Sequence, residues 1–309
     1  MPAIQIRMRH AFLALAGCLL ANAAPALAQA PASGLPMWVI RDADSTIYIT
    51  GTVHLLPDDV QWRSEKLDTA LTEATELWLE LAEVGDPEGL NAKLLRTYAD
   101  KLASTGQPLS SQLTEDERIR LAAAIAEAET PPDIAAKIDS MKGWYAVYAI
   151  DRAHDLGVGY RGRNGIDRVL ARLARDQGDS IKGLETLEFQ VSDMFEMSAE
   201  EQLEELRWRL KTDTALQARI KRTSDLAYIS WVRGETHMTE ALVSLMYLAP
   251  NANNVDWLLR ERNESWAAMI EKRLTGSGVS FVAVGALHLV GRDSLQKRLK
   301  LRGIEAQRY

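Results

Sequence analysis

The sequence predicts an α/β fold: a central mixed sheet built from two pseudo-symmetric halves, each a strand leading into Gly-x-x-His, with a large helical insertion between them. Three observations carry this. Runs of β-branched and aromatic residues lie near both ends of the chain, helical periodicity dominates from about residue 85 to 275, and the strand-then-Gly-x-x-His pattern occurs once on each side of that middle. Of the 309 residues, 47% are apolar and 26% charged, which excludes a disordered or collagenous chain. No linker rich in Gly, Pro or Ser divides residues 29–309, so they are read as one domain.

Arg7, Arg9 and His10 precede an apolar run from Ala11 to Ala21, and small residues follow through Ala26-Leu27-Ala28. That is the layout of a secretory signal peptide over residues 1–28. The run falls short of the ~20 apolar residues a membrane span needs. Leu15-Ala16-Gly17-Cys18 has the look of a lipoprotein signal, but the chain stays apolar after Cys18, so ordinary cleavage is preferred. The expected location is the periplasm or the outside of the cell. A single cysteine excludes a disulfide framework within the chain and any Cys-based zinc site.

Met37 to Ile40 and Thr46 to Thr50 read as two strands joined at Arg41-Asp42-Ala43-Asp44-Ser45. Ser64 to Thr75 reads as a helix with Leu67, Leu71 and Ala74 on one face, and Glu76 to Leu81 as a third strand. Helices are expected over Pro87 to Ala103, over Arg118 to Glu129 behind the capping box at Thr114, over Asp133 to His154, and over Ile166 to Asp176. Ser180 to Glu185 is a short strand and turn. Ser198 to Leu248 is helical, with breaks near Thr212 and Gly234, and Asp256 to Leu274 is one long helix. Val279 to Val284 is a strand, a last helix is capped by Asp293 or Ser294, and Ile304 to Tyr309 adds a final strand.

The two motifs are Gly51-Thr52-Val53-His54 and Gly285-Ala286-Leu287-His288, each placed directly after an apolar strand. In open α/β sheets, ligands bind beyond the carboxyl ends of strands. Histidine is both the commonest side-chain metal ligand and the usual general base near neutral pH. Glu80 closes the strand at Leu81, on the same expected edge. His54, His288 and Glu80 together would form a two-His, one-carboxylate set suited to a divalent ion such as manganese, cobalt or zinc. Glu185 is either a helix-start carboxylate or a second acid of the site, and Asp167 is ambiguous in the same way, with a helix cap as the default. Arg262 could hold a carboxylate or an oxyanion bidentately, although an exposed helix charge is its default, and Arg262 or Asn263 would steady a developing oxyanion. His154 and His237 read as surface residues.

With 36 Lys and Arg against 43 Asp and Glu, the formal charge is −7, which disfavours nucleic acid as a partner. The sequence has no H-E-x-x-H, no G-x-S-x-G elbow and no phosphate loop.

From about Leu35 to Tyr309 the chain resembles the TraB/PrgY/GumN family, whose animal relatives include the Tiki metalloproteases. The paired Gly-x-x-His motifs carry the resemblance, with Leu79-Glu80, Gly165-Ile166-Asp167, Gly183-Leu184-Glu185-Thr186 and Arg262-Asn263 followed by Trp266. The resemblance implies an α/β fold akin to erythromycin-esterase and ChaN-like proteins. For the Tiki branch it implies metal-dependent peptide cleavage supported by manganese or cobalt, and it strengthens Glu80 as a ligand.

Two functions stay open. One is an exported metal-dependent hydrolase, a peptidase in particular, with the ion on His54, Glu80 and His288, Glu185 as base, and Arg262 or Asn263 at the oxyanion. The other is a non-catalytic periplasmic binding protein that sequesters a peptide or haem in the same pocket.

Overall fold

The computed structural model describes residues 34–85, 90–104, 107–211, 214–247 and 255–309. The proposed signal peptide, Pro87 and the expected break near Thr212 lie outside them. Strand β1 (Met37–Arg41) turns into β2 (Ser45–Thr52), and Asp42 Oδ1 closes the turn by accepting from the backbone N–H of Asp44 at 3.2 Å and of Ser45 at 2.7 Å. Strands β3 (Glu76–Leu81), β4 (Ser180–Glu185), β5 (Gly278–Gly285) and β6 (Gln307–Arg308) complete a six-stranded mixed sheet of order β4-β3-β5-β2-β1-β6. β4, β3, β5 and β2 are mutually parallel neighbours, and β1 and β6 add an antiparallel edge. Because parallel strands share a direction, all four point their carboxyl ends at one rim.

The two motif strands lie side by side, with Gly51 opposite Val284 and Thr52 opposite Gly285. The echo is therefore offset by one position in register. Gly51 is required by packing: the Trp231 ring lies over it, a Cβ there would overlap the ring, and Trp231 Nε1 donates to the Gly51 carbonyl at 3.1 Å.

The helices are α1 (Glu65–Glu73), α2 (Leu90–Leu102), α3 (Glu115–Glu127), α4 (Pro132–Ala135), α5 (Gly143–Gly157), α6 (Ile166–Gln177), α7 (Leu187–Glu196), α8 (Ala199–Lys211), α9 (Thr214–Val232), α10 (His237–Tyr247), α11 (Arg262–Leu274) and α12 (Leu295–Leu301). Leu67 and Leu71 of α1, Leu170 and Ala174 of α6, and Trp266 and Ile270 of α11 share the main core with Ile47, Ile49, Leu77, Phe281 and Val284 of the sheet. A second core joins α3, α5 and α8 through Leu121, Val147, Ile150 and Leu206. The Thr114 capping box forms in full.

Two expected helices are interrupted. Asp133 to His154 breaks because Met141 bridges Ala103, and Lys142 N–H donates to the Leu102 carbonyl at 2.9 Å, so pairing with a distant segment displaces the helical bonds. Asp256 to Leu274 opens as a π-helical turn over Asp256–Glu261 before α11 begins. The final strand is shorter than expected, covering Gln307–Arg308. No helix among the described residues is long and apolar enough to cross a membrane.

At the opposite rim from the motifs, Glu76 is buried and accepts from Ser280 Oγ at 2.6 Å, from Lys182 and from Arg273. Burial alone would raise its pKa, but those donors outweigh it and hold the carboxyl at about 2. A depressed folded-state pKa contributes stability above the ordinary carboxylate value, and that contribution is lost as pH falls through about 2. Glu76→Gln is expected to cost on the order of 2–3 kcal/mol at pH 7 by urea unfolding. The difference from the parent should close on acidification toward pH 2.

Candidate active site

Each parallel strand delivers one polar group to the shared rim. β2 runs into the loop that carries His54, β3 ends in Glu80, β4 ends in Glu185, and β5 passes through Gly285 into the short turn Ala286–Leu289 that carries His288. The register sets Leu81 opposite Glu185 and Thr52 opposite Gly285, so these groups come from one level of the sheet.

Arg262, the first residue of α11, is only 4% exposed and faces both carboxylates. Its Nη2 donates to Glu80 Oε2 at 2.7 Å and to Glu185 Oε1 at 2.6 Å, and its Nε donates to Glu185 Oε2 at 3.0 Å. Gln190 of α7 adds donors to Glu185 Oε1 at 3.0 Å and Glu80 Oε2 at 3.3 Å. The other Glu80 oxygen accepts from Gly285 N–H at 2.6 Å. Burial pushes Glu80 up, but Arg262 and its other cationic and hydrogen-bonding neighbours hold it at about 2, so it is an anion. For Glu185 burial prevails over Arg262 and the pKa lies above the ordinary value.

The two histidines are treated differently. His288 is buried, and burial draws its pKa down to about 3 despite the neighbouring Glu80, so the ring is neutral. Asn263 Nδ2 donates to the carbonyls of His288 at 3.1 Å and Asp293 at 2.8 Å. Only the amide nitrogen can serve two carbonyls, so Asn263 Oδ1 must accept from His288 Nδ1–H, at 2.9 Å. That leaves the His288 Nε2 lone pair free, 3.9 Å from Glu80 Oε1. Trp266 packs on the ring at 4.4 Å between centroids.

The His54 side chain is 62% exposed. Its Nδ1 lies 3.0 Å from Asp167 Oδ2, and that carboxylate lifts the His54 pKa well above the usual value. His54 also interacts electrostatically with Glu80 and His288, which places the three in one field.

The model of the TraB/PrgY/gumN family matches residues 36–308, nearly the whole chain. The chain belongs to that family. No curated protein and no solved structure matches it. The α/β architecture with its helical insertion is thereby joined to the family whose motifs the sequence carries.

Of the residues singled out from sequence, Glu80, Glu185, Arg262, Asn263 and His288 form one connected network, with His54 at its open side. Arg262 is not the exposed helix charge of the default reading: its donors go to two carboxylates. Asn263 is fully buried, and its amide is spent on two backbone carbonyls and the His288 ring, so it positions His288 and has no donor left for an oxyanion. Asp167, read as a cap, instead orients His54. Gln190 lies five residues after Glu185, in the first turn of α7, and that spacing is the local signal for its contact.

The donor set meets part of what a divalent ion requires. Both imidazoles commit Nδ1 to an oxygen, an arrangement typical of metal-binding histidines; His288 presents a free Nε2, whereas His54, held protonated by Asp167, would have to release its Nε2 proton to bind a cation. Two ligands of one ion at ~2.1 Å each sit roughly 3–4 Å apart, and the Glu80–His288 pair has that spacing. Among the described residues no three such groups are gathered closely enough to hold an ion together.

Proposed function

We propose that the chain is an exported metal-dependent hydrolase acting on peptides, with His54, Glu80 and His288 as the residues that would hold a divalent ion of the manganese, cobalt or zinc kind. The observation that carries this reading is the convergence of an ionised carboxylate and a neutral imidazole with a free Nε2 at the same rim as His54. An ion held there supplies a water of lowered pKa and polarises a carbonyl.

The chain's own residues divide the remaining work. Asp167 and Asn263 fix the ring orientations of His54 and His288. Arg262 keeps Glu80 ionised and holds Glu185 beside it. Glu185, whose pKa burial raises above the ordinary carboxylate value, is the second carboxylate placed to take and return a proton.

Elemental analysis of the purified full chain, with a peptide-library cleavage assay in added manganese, tests the proposal. The expected result is bound metal and cleavage in the parent, both lost in His54→Ala and His288→Ala. Substituting residues that merely orient ligands costs 10–100-fold, so a ligand substitution should lower cleavage by at least about 100-fold. Unchanged metal content and cleavage in both variants overturns the assignment. Metal-free protein that takes up haem or peptide without cleaving it supports the binding-protein reading instead.

A further inference from the structure

The turn Gly162–Asn164 and the start of α6 form the wall beside His54: Leu56 and Arg161 pair across it, and Ile166 N–H donates to the Val53 carbonyl at 2.9 Å. Four arginines line this wall, and they fall into two kinds. Arg161 Nη1 donates to the carbonyls of Leu156 at 2.6 Å and Tyr160 at 3.0 Å, and Arg163 pairs with Asp58 at 2.8 Å. Arg152 of α5 and Arg168 of α6 have no such partners: among the described residues no carboxylate pairs with either.

These two converge. A Cβ built on Gly162 would lie 2.5 Å from Arg168 Nη1 and 3.2 Å from Arg152 Nη2, so both guanidinium groups close over the same bare stretch of backbone. Arg152 Nη1 is shielded from water and lacks a hydrogen-bond partner. Two like charges side by side repel, and a buried N–H without an acceptor costs free energy, so the arrangement is unfavourable as it stands. An oxyanion between the forks would satisfy both, because guanidinium donors match carboxylate geometry in pairs. Both residues are half-buried, and Arg152 Nη1 itself lies beneath the surface.

We infer that Arg152 and Arg168 form an oxyanion-binding site that receives a carboxylate of the ligand bound at the His54 side of the cleft. The inference deepens the peptide reading, on which the identity of the ligand rests: the carboxylate is either the peptide's C-terminus or an acidic side chain.

The test is ligand-induced thermal shift on chelator-treated full chain, which reads binding and is independent of metal and turnover. Three probes are used: N-acetyl-trialanine with a free carboxylate, its C-terminal amide, and N-acetyl-Ala-Glu-Ala amide. At a fixed concentration, one or both acid-bearing probes should raise Tm, and the neutral amide should not. A shift with the first places the C-terminus at the site, and a shift with the third places a side chain there. The double variant Arg152→Gln/Arg168→Gln should lose that shift while its own ligand-free Tm is unchanged or higher, because the repulsion has gone. An equal shift with the neutral amide, a shift kept in the double variant, or no shift with either acid overturns the inference. A lower ligand-free Tm in the double variant assigns the arginines a structural role and overturns it as well. The metal analysis given above fails or succeeds separately, so the two conclusions are distinguishable.

Discussion

Arg262→Met is expected to lower stability by about 3–5 kcal/mol at pH 7, the cost of leaving buried charges without their partner. Methionine matches the arginine stem but has no guanidinium, so the cation–π contact with Trp266, 4.8 Å from Cζ to the ring centroid, is lost as well. What disappears is the cation between Glu80 and Glu185, whose side chains are 10% and 5% exposed. Gln190 alone then faces both carboxylates. For a domain of this size the loss corresponds to roughly 10 °C in Tm. Urea unfolding of chelator-treated protein measures it, and a second substitution separates charge from packing. Glu185→Gln in the Arg262→Met background removes one of the two orphaned anions and should recover about half of the loss. The sign with pH also follows. Without the guanidinium, burial and mutual repulsion raise the carboxyl pKa values, and protonation in acid stabilises the variant while the parent loses the contribution of a carboxyl held at about 2. The gap should therefore narrow below the ordinary carboxylate range. A loss under about 1 kcal/mol, the worth of a surface ion pair, would show that Arg262 is not the clamp.

That clamp also marks the limit of what the sequence made legible. Strand pattern and the repeated Gly-x-x-His placed His54 and His288 at one rim, and the parallel pairing of β2 with β5 confirms the shared edge. Period-two and period-3.6 patterns are local, so the strands and most helices could be read from them. The partners of Arg262 are not local: they lie 77 and 182 positions away, and nothing in the residues around Arg262 distinguishes it from a solvated helix charge. Asp167 was ambiguous for the opposite reason, since a carboxylate at a helix start already has a sufficient local explanation in the dipole. The difference between the two histidines was equally hidden. Their motifs match, but His288 sits in a turn covered by Trp266, whereas His54 sits in an open loop. Tertiary burial makes one neutral and leaves the other to answer to Asp167.

Asn263→Ala is expected to have the second large effect, and it reads the positioning of His288 apart from its presence. The substitution strands the carbonyls of His288 and Asp293 and the Nδ1–H of His288, all in a region where Asn263 itself is 0% exposed. Loss of those bonds, with buried groups left unpaired, costs about 3 kcal/mol. It also frees the ring to rotate and to take the other tautomer, so Nε2 no longer faces Glu80 by necessity. On the proposed reading, metal affinity should fall 10–100-fold while the ligand count stays intact, the usual effect of removing an outer partner. Asn263→Asp distinguishes the two contributions. A carboxylate still accepts from Nδ1–H and holds the ring, but it turns an anion toward two carbonyl oxygens, so stability should fall at least as far as in the alanine variant while more of the metal affinity survives. Chemical denaturation gives the first quantity, and competition with a chromophoric chelator gives the second. If both variants bind metal as the parent does, His288 does not depend on Asn263 for its orientation, and the positioning role of Asn263 is overturned.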